Sequence, residues 1–263
     1  MAGARIISYI ADVLEKLFVK DAAKDLAKDT AKDLAKDTAK DTAADTAKDA
    51  AAAAWRGEGG LTLTREENAL ADDFLARAKK AEPGITRDMT SIESGAKELD
   101  PAAKLQGLDR RLKEPDSLKR KLATDLRRDD TLTASEGLAD MKDSVRYTLE
   151  IPDGKYSGGV NKATSALQDM GYQNVKWKPT WDPEGYKGIN SFWRDPSTGQ
   201  VFEVQFHTPA SFDAKMTTHD LYDVARLPGT PADKVAELNA QQDAIFRDVP
   251  IPPGADKIVP PGS

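Results

Sequence analysis

Val201-Phe202-Glu203-Val204-Gln205-Phe206-His207-Thr208 alternates strictly, three large apolar side chains against a carboxylate, an amide and an imidazole. Period two with one apolar face is the pattern of a half-buried strand. The Phe202/Val204/Phe206 face explains itself as core. Nothing in packing asks for Glu203, Gln205 and His207 in a row on the other face, and that row suits the floor of a cleft. Two further segments alternate in the same way. Over 144–151, Val145, Tyr147, Leu149 and Ile151 oppose Ser144, Arg146, Thr148 and Glu150; over 174–181, Val175, Trp177 and Trp181 oppose Lys176, Lys178 and Thr180. A fourth strand is predicted around Ile189–Arg194, joined to 201–208 as a hairpin by the Pro-Ser-Thr-Gly turn at 196–199. A helix at 156–170, ended by Gly171, separates the first two strands, and helices at 211–226 and 231–246 follow the last.

Working upstream, helical patterns occupy 65–80, 87–98, 102–110 and 117–128. A helical first half followed by a small mixed sheet flanked by helices is an α+β architecture. The globular domain is expected to span 61–228, followed over 229–263 by a C-terminal helix and a Pro/Gly-rich tail that, from Pro250 onward, lies along the surface or is mobile. Ahead of it, residues 22–49 repeat a tetrad (AAKD, LAKD, TAKD, LAKD, TAKD, TAAD, TAKD). Alanine and Asp-to-Lys pairs at i,i+3, such as Asp25 with Lys28, favour helix. A period of four overshoots the 3.6-residue turn, so no fixed apolar face survives. Segment 21–60 therefore reads as a solvated helical spacer. A lysine stripe for nucleic acid is set aside because an aspartate offsets nearly every lysine. In segment 1–20, Ile6, Ile10, Val13, Leu14 and Leu17 recur at helical spacing as an amphipathic N-terminal helix, completing a long helical arm.

Composition narrows the chemistry. The 263 residues hold no cysteine, which excludes disulfides, thiol catalysis and Cys-based zinc sites. Two histidines, His207 and His219, are too few for a metallohydrolase built on several imidazoles. A net charge of −6 leaves phosphate binding to local basic clusters. No run approaches the roughly 20 apolar residues of a membrane span.

Four clusters could carry chemistry. Around Pro115-Asp116-Ser117 a helix begins, and a helix N-terminus is an anion site, with Asp116 or Ser117 as its cap. Lys121 lies one turn in from Ser117, while Arg111 and Lys113 approach from the preceding segment, so the four could surround a polyphosphate with the Arg111 plane free to stack on a base. Asp143, just before the strand that carries Arg146, suits Mg²⁺, which binds through one or two carboxylates plus phosphate oxygens. Asp140 is a rival ligand. In Gly185-Tyr186-Lys187-Gly188-Ile189-Asn190, the glycines allow tight backbone beside a tyrosine that can serve as a nucleobase platform or pack as a loop aromatic. Finally, Lys215, His219 and Tyr222 follow the Glu203 strand at i,i+4,i+7, on one helix face.

Taken in order, these motifs resemble the RelA/SpoT-type alarmone synthetases. The spacing R-x-K-x-x-x-S-x-x-x-K is matched at Arg111, Lys113, Ser117 and Lys121, where the resemblance implies a base-stacking arginine and phosphate-holding lysines for ATP, the diphosphate donor. The family's metal aspartate precedes a strand arginine as D-x-x-G-x-R; here Asp143 and Arg146 read D-x-x-R. The family's G-Y-x-S-[LI]-H becomes G-Y-K-G-I-N, which implies Tyr186 stacks on the acceptor base, with Asn190 and Gly188 as departures. E-[IV]-Q-x-x-T is matched at Glu203, Gln205 and Thr208, with His207 in place of a common arginine. The resemblance covers roughly two fifths of the chain, 111–222, and is nearest to the small, toxin-associated branch. It implies a nucleotidyltransferase-like synthetase fold and a pyrophosphokinase that moves the β,γ-diphosphate of ATP to a ribose 3′-hydroxyl. Glu203 and Asp143 would be the catalytic pair holding Mg²⁺, and Tyr186, Asn190, Gln205, Lys176, Lys178 and His207 the acceptor side. Arg146, Lys215 and His219 would support phosphates. The acceptor is expected to be ADP/ATP before GDP/GTP, with the tRNA 3′ end as an alternative. A growth-inhibiting toxin that acts in the cytoplasm after secretion or delivery, neutralised by an antitoxin or immunity protein, also follows from the likeness. A non-catalytic nucleotide-binding or structural module is the reading from a different class.

Overall fold

The structure, a computed structural model, describes residues 54–227 and 229–262. The amphipathic helix expected at 1–20, and the spacer up to residue 53, lie outside the described residues. Residues 54–60, assigned above to the spacer, instead open the folded body. A hairpin of β1 (Trp55–Arg56) and β2 (Thr62–Leu63) puts Leu61 and Leu63 into an apolar cluster with Leu118 and Leu122. Trp55 packs against that cluster and its indole N–H donates to Asp116.

Helix α1 (Arg65–Lys97) starts at a capping box, Thr64 with Glu67. It runs through Pro83, where the sequence suggests two helices. Ala78, Ala81, Ile85, Met89, Ile92 and Ala96 recur at helical spacing and are all buried, and burying that continuous stripe outweighs one lost backbone bond. The expected helix at 102–110 is absent. Lys104–Gln106 forms β3, which pairs antiparallel with β4 (Arg146–Glu150), and Gly107 turns the chain at φ +64°. The unpaired edge of β4, with Leu149 opposite Leu105, is the stronger partner for this segment. Two helices follow: α2 (Pro115–Arg128), where a helix is expected over 117–128, and the short α3 (Ala134–Ala139), which alone the sequence reading passes over.

After β4 come α4 (Tyr156–Asp169), β5 (Gln173–Pro179), β6 (Ile189–Arg194), β7 (Val201–His207), α5 (Pro209–Ala225) and α6 (Ala232–Arg247). The sheet order is β3-β4-β7-β6-β5. β5, β6 and β7 form an antiparallel meander, and β7 slots in parallel to β4. The α+β class is therefore as read from the sequence, with β7 central. One sheet face, including Val145, Tyr147, Leu149, Phe202, Val204 and Phe206, packs with α1 and α4 in the main core. The other face carries polar groups, among them Thr148, Glu150, Glu203, Gln205 and His207, all buried. Directly paired residues share a face, so the register aligns Lys176, Phe192, Glu203 and Arg146 in one transverse row. Lys178, Asn190, Gln205 and Thr148 form the next.

Two expectations change here. A β-bulge between Asn174 and Lys176 turns Val175 out of the apolar set predicted for it. The C-terminal tail docks: Val249, Ala255 and Ile258 are buried in the main core, and Ser157 donates to the Pro253 carbonyl at 2.7 Å. Among the described residues no helix is long and apolar enough to cross a membrane.

Candidate active site

The acidic strand and the cationic helix start meet through backbone pairing. Leu112 bridges Val145, the Lys113 N–H donates to Ser144 and the Arg146 N–H donates to Arg111. This short antiparallel contact lies just upstream of β4 and sets Lys113 beside Asp143, with Nζ 2.6 Å from Oδ2. Burial opposes the Asp143 charge, but Lys113, then Arg146 and Lys121, outweigh it and hold its pKa below the ordinary carboxylate value. Asp143 precedes β4, as expected, and so escapes the alternation that would have separated it from Arg146. Lys121 also pairs with Asp125 at 2.9 Å. Helix α2 begins with Glu114 as N-cap and Pro115 in its first turn, so Ser117 is not the cap but an exposed first-turn residue. Its backbone N–H belongs to the first turn, where donors lack intrahelical acceptors.

On the next strand, Glu203 stands directly across from Arg146. Burial raises the Glu203 pKa and the Asp143 charge adds to this, while Arg146, a hydrogen bond from Gln205, and Lys215 oppose it. Gln205 in turn accepts from Lys215 at 2.5 Å and from Thr148 at 3.1 Å. The Lys215 amine is pushed down to about 8 by burial and by Arg146, against the attraction of Glu203. Thr208 caps α5 in a box with Ser211, a contact worth about 1 kcal/mol. The cap fixes where the helix leaves β7 and so aims Lys215 back at the sheet.

The remaining expected site residues divide. Arg111 lies at the cleft but its guanidinium is already engaged, paired with Glu82 of α1 and donating to the Leu108 carbonyl at 2.5 Å. Glu82 also accepts from Thr86, which hydrogen-bonds Tyr147. Glu82 is a site residue that sequence reasoning does not find. Its one signal is a carboxylate at a buried position of a helix stripe. His207 is withdrawn from the open cleft surface. It is fully buried, with Nε2 2.6 Å from the Tyr186 hydroxyl and Nδ1 2.8 Å from Ser211 Oγ. Burial and then Lys215 lower its pKa well below the usual value, so it is neutral at pH 7. It orients Tyr186, whose hydroxyl also donates to Asn190 at 3.3 Å. The Tyr186 ring packs at 5.3 Å from the Phe246 ring of α6. His219 is not brought to this cluster: it is exposed, with Nδ1 3.5 Å from Asp223, whereas Lys215 bonds Gln205 and Tyr222 lies near enough to act on Tyr186. Lys176 and Lys178 are exposed on the β5 edge, in register with Glu203 and Gln205 through β6. Asp140 is exposed and pairs with Lys142 at 3.1 Å.

Gly188 has a specific reason. Its φ is +153°, and a Cβ there would stand 2.9 Å from His207 Cε1 and 3.1 Å from the Phe206 carbonyl oxygen. The buried imidazole occupies the space a side chain would need. Gly188→Ser is expected to destabilise the protein by about 2 kcal/mol, read as a lower urea midpoint with an unchanged slope.

Among the described residues no group of three or more His, Cys, Asp or Glu stands ready to hold a metal ion. The electrostatically coupled pair Asp143 and Glu203 nonetheless fits a divalent cation of the Mg²⁺ kind, which takes one or two protein carboxylates and completes its shell from substrate phosphates and water.

No protein-family model matches the chain, and no curated protein does. Solved structures do. The small alarmone synthetase 1 from Bacillus subtilis, bound to its product pppGpp, is 14% identical, with 67% of this chain and 91% of that one covered and a TM-score of 0.46. A GTP pyrophosphokinase family protein from Streptococcus pneumoniae is 14% identical over 67% of this chain and 88% of that one, with a TM-score of 0.44. The Type VI effector Tas1, in complex with its immunity protein, is 17% identical over 66% and 93%, with a TM-score of 0.39.

Proposed function

We propose that the chain is a pyrophosphotransferase that moves the β,γ-diphosphate of ATP to a ribose 3′-hydroxyl of a nucleotide. The observation that carries this reading is the meeting of a helix start with the polar face of the central strand: Lys113 pairs with Asp143, Lys121 also acts on Asp143, and Arg146 stands across from Glu203, which Lys215 also attracts. Cations on one side suit a polyphosphate; a buried, charge-coupled glutamate on the other suits a hydroxyl that must lose its proton.

Lys113, Lys121 and the first-turn N–H groups of α2 hold the donor phosphates, and Arg111, fixed in plane by Glu82, lies against the adenine. Asp143 and Glu203 would hold Mg²⁺, which when bound would supply positive charge against that of the donor phosphates. Glu203 accepts the proton of the ribose hydroxyl. The oxygen forms its bond to the β-phosphorus as the bond from that phosphorus to the α,β-bridging oxygen breaks, and AMP leaves. Arg146 and Lys215 stand beside the transferred group, where positioning and charge supply most of the acceleration. Lys176 and Lys178 take the acceptor phosphates, and Tyr186 with Asn190 bounds its base. Adenine nucleotides are favoured over guanine nucleotides because Asn190 and Gly188 replace the residues of the guanine-using pattern. Transfer to ADP or ATP inside a cell would drain the adenylate pool and stop growth, and a protein that covered the cleft would neutralise it.

The test is to incubate the protein with labelled ATP, Mg²⁺ and, separately, ADP, ATP, GDP, GTP and deacylated tRNA. Release of AMP that requires an acceptor is expected, and the acceptor that gives it identifies the substrate. Nucleotide binding without AMP would replace the enzyme with a sensing module.

A further inference from the structure

Phe192 is the apolar side chain that the polar sheet face does not need. On β6, Ile189, Ser191 and Trp193 are buried towards the core, whereas Phe192 points with Glu203 and is half-buried. Tyr147, Tyr172 and Phe202 interlock edge-to-face inside the protein, but Phe192 belongs to neither apolar cluster. It sits in register between Lys176 and Glu203. Strands lie about 4.8 Å apart, so Phe192 stands one strand from Lys176 and one strand from Glu203. In a nucleotide the ribose carries the 5′-phosphate, the 3′-hydroxyl and the base, so a cation on one side of a flat apolar ring and a carboxylate on the other can take the first two while the base lies on the ring. Tyr186 is less available, because its ring contacts Phe246 and His207 and its hydroxyl is tied to His207.

We propose that Phe192 is the platform on which the acceptor nucleotide lies, its phosphates at Lys176 and its ribose hydroxyl presented to Glu203. The inference rests on the pyrophosphotransfer reading for the identity of the acceptor, but nucleotide binding at Phe192 can be measured without turnover. Wild-type protein and Phe192→Ala are titrated calorimetrically with ADP and with GDP, each in saturating α,β-methylene ATP to occupy the donor side. Loss of a base–aromatic contact corresponds to roughly 5- to 150-fold in affinity. At least a fivefold weakening is expected for the preferred nucleotide, with the ATP analogue bound as before. Phe192→Tyr keeps a flat ring and is expected within about twofold of wild type. Phe192→Leu preserves apolar bulk for folding but not the ring face, and is expected to weaken binding as alanine does. The proposal is overturned if Phe192→Ala or Phe192→Leu binds within about twofold of wild type, if the ATP analogue weakens equally, or if neither nucleotide binds wild-type protein. Binding that depends on Phe192 with no AMP release would leave the platform standing and remove the pyrophosphotransfer reading instead.

Discussion

Glu203→Gln is expected to lower acceptor-dependent AMP release by about 10²–10⁴-fold, the range for removing a general base, while the protein becomes no less stable. The two halves of this result have one cause. Glu203 is buried, and burial with the nearby Asp143 charge raises its pKa above the ordinary value. A carboxyl raised in this way contributes stability while protonated, below its unfolded pKa, and loses it as the pH rises through the folded pKa. Ionised Glu203 is therefore a cost to folding at pH 7, and the neutral amide removes it without changing the shape. Catalysis needs the ionised form, so wild-type kcat/KM should fall as the pH drops through the raised Glu203 value, earlier than for an exposed carboxylate. A pH–rate profile and urea unfolding of both proteins give the check. If the variant keeps its turnover, or if it loses stability along with activity, Glu203 is a structural residue.

Lys113→Met is expected to act in the opposite sense on stability and to damage donor binding. The Lys113 amine holds Asp143 at 2.6 Å, and the two side chains are only 18% and 25% exposed. Breaking a fully buried pair costs about 3–5 kcal/mol; with this residual solvent, about 2 kcal/mol is expected at pH 7. Burial alone would raise the Asp143 pKa, yet Lys113 and its neighbours depress it. Stability from a depressed carboxylate is present above the unfolded pKa and is lost as the pH falls through the folded one. The difference between wild type and Lys113→Met should therefore shrink as the pH drops below about 4. Losing a charged hydrogen bond to the donor phosphates, about 1.5–3 kcal/mol, should raise the KM for ATP roughly 10- to 150-fold. An unchanged KM for ATP alongside the stability loss would confine Lys113 to holding Asp143, and would remove it from the donor site.

The strands around the cleft are legible because one face of each is apolar: Tyr147/Leu149 and Phe202/Val204/Phe206 mark the core side without help. The helix of Lys104–Gln106 and the break at Pro83 are misread for a related reason. Local propensity decides neither segment, since an open β4 edge captures the first and a six-residue buried stripe carries the second through its proline. His207 shows the limit for site residues. Its place in a polar row is visible, but that its two nitrogens face Tyr186 and Ser211 rather than the cleft depends on how α5 leaves β7.

Alternation and residue type alone determine which side chains are polar on a strand, and hence that Glu203 lies opposite a core face. They cannot align one strand with another, because side-chain period fixes a strand's two faces but not its neighbours. Strand pairing and its register decide that Arg146 stands beside Glu203, that Phe192 falls between Glu203 and Lys176, and that the bulge before Lys176 turns Val175 outward. Backbone hydrogen bonds between residues far apart in the chain set that alignment, and only the folded sheet makes them.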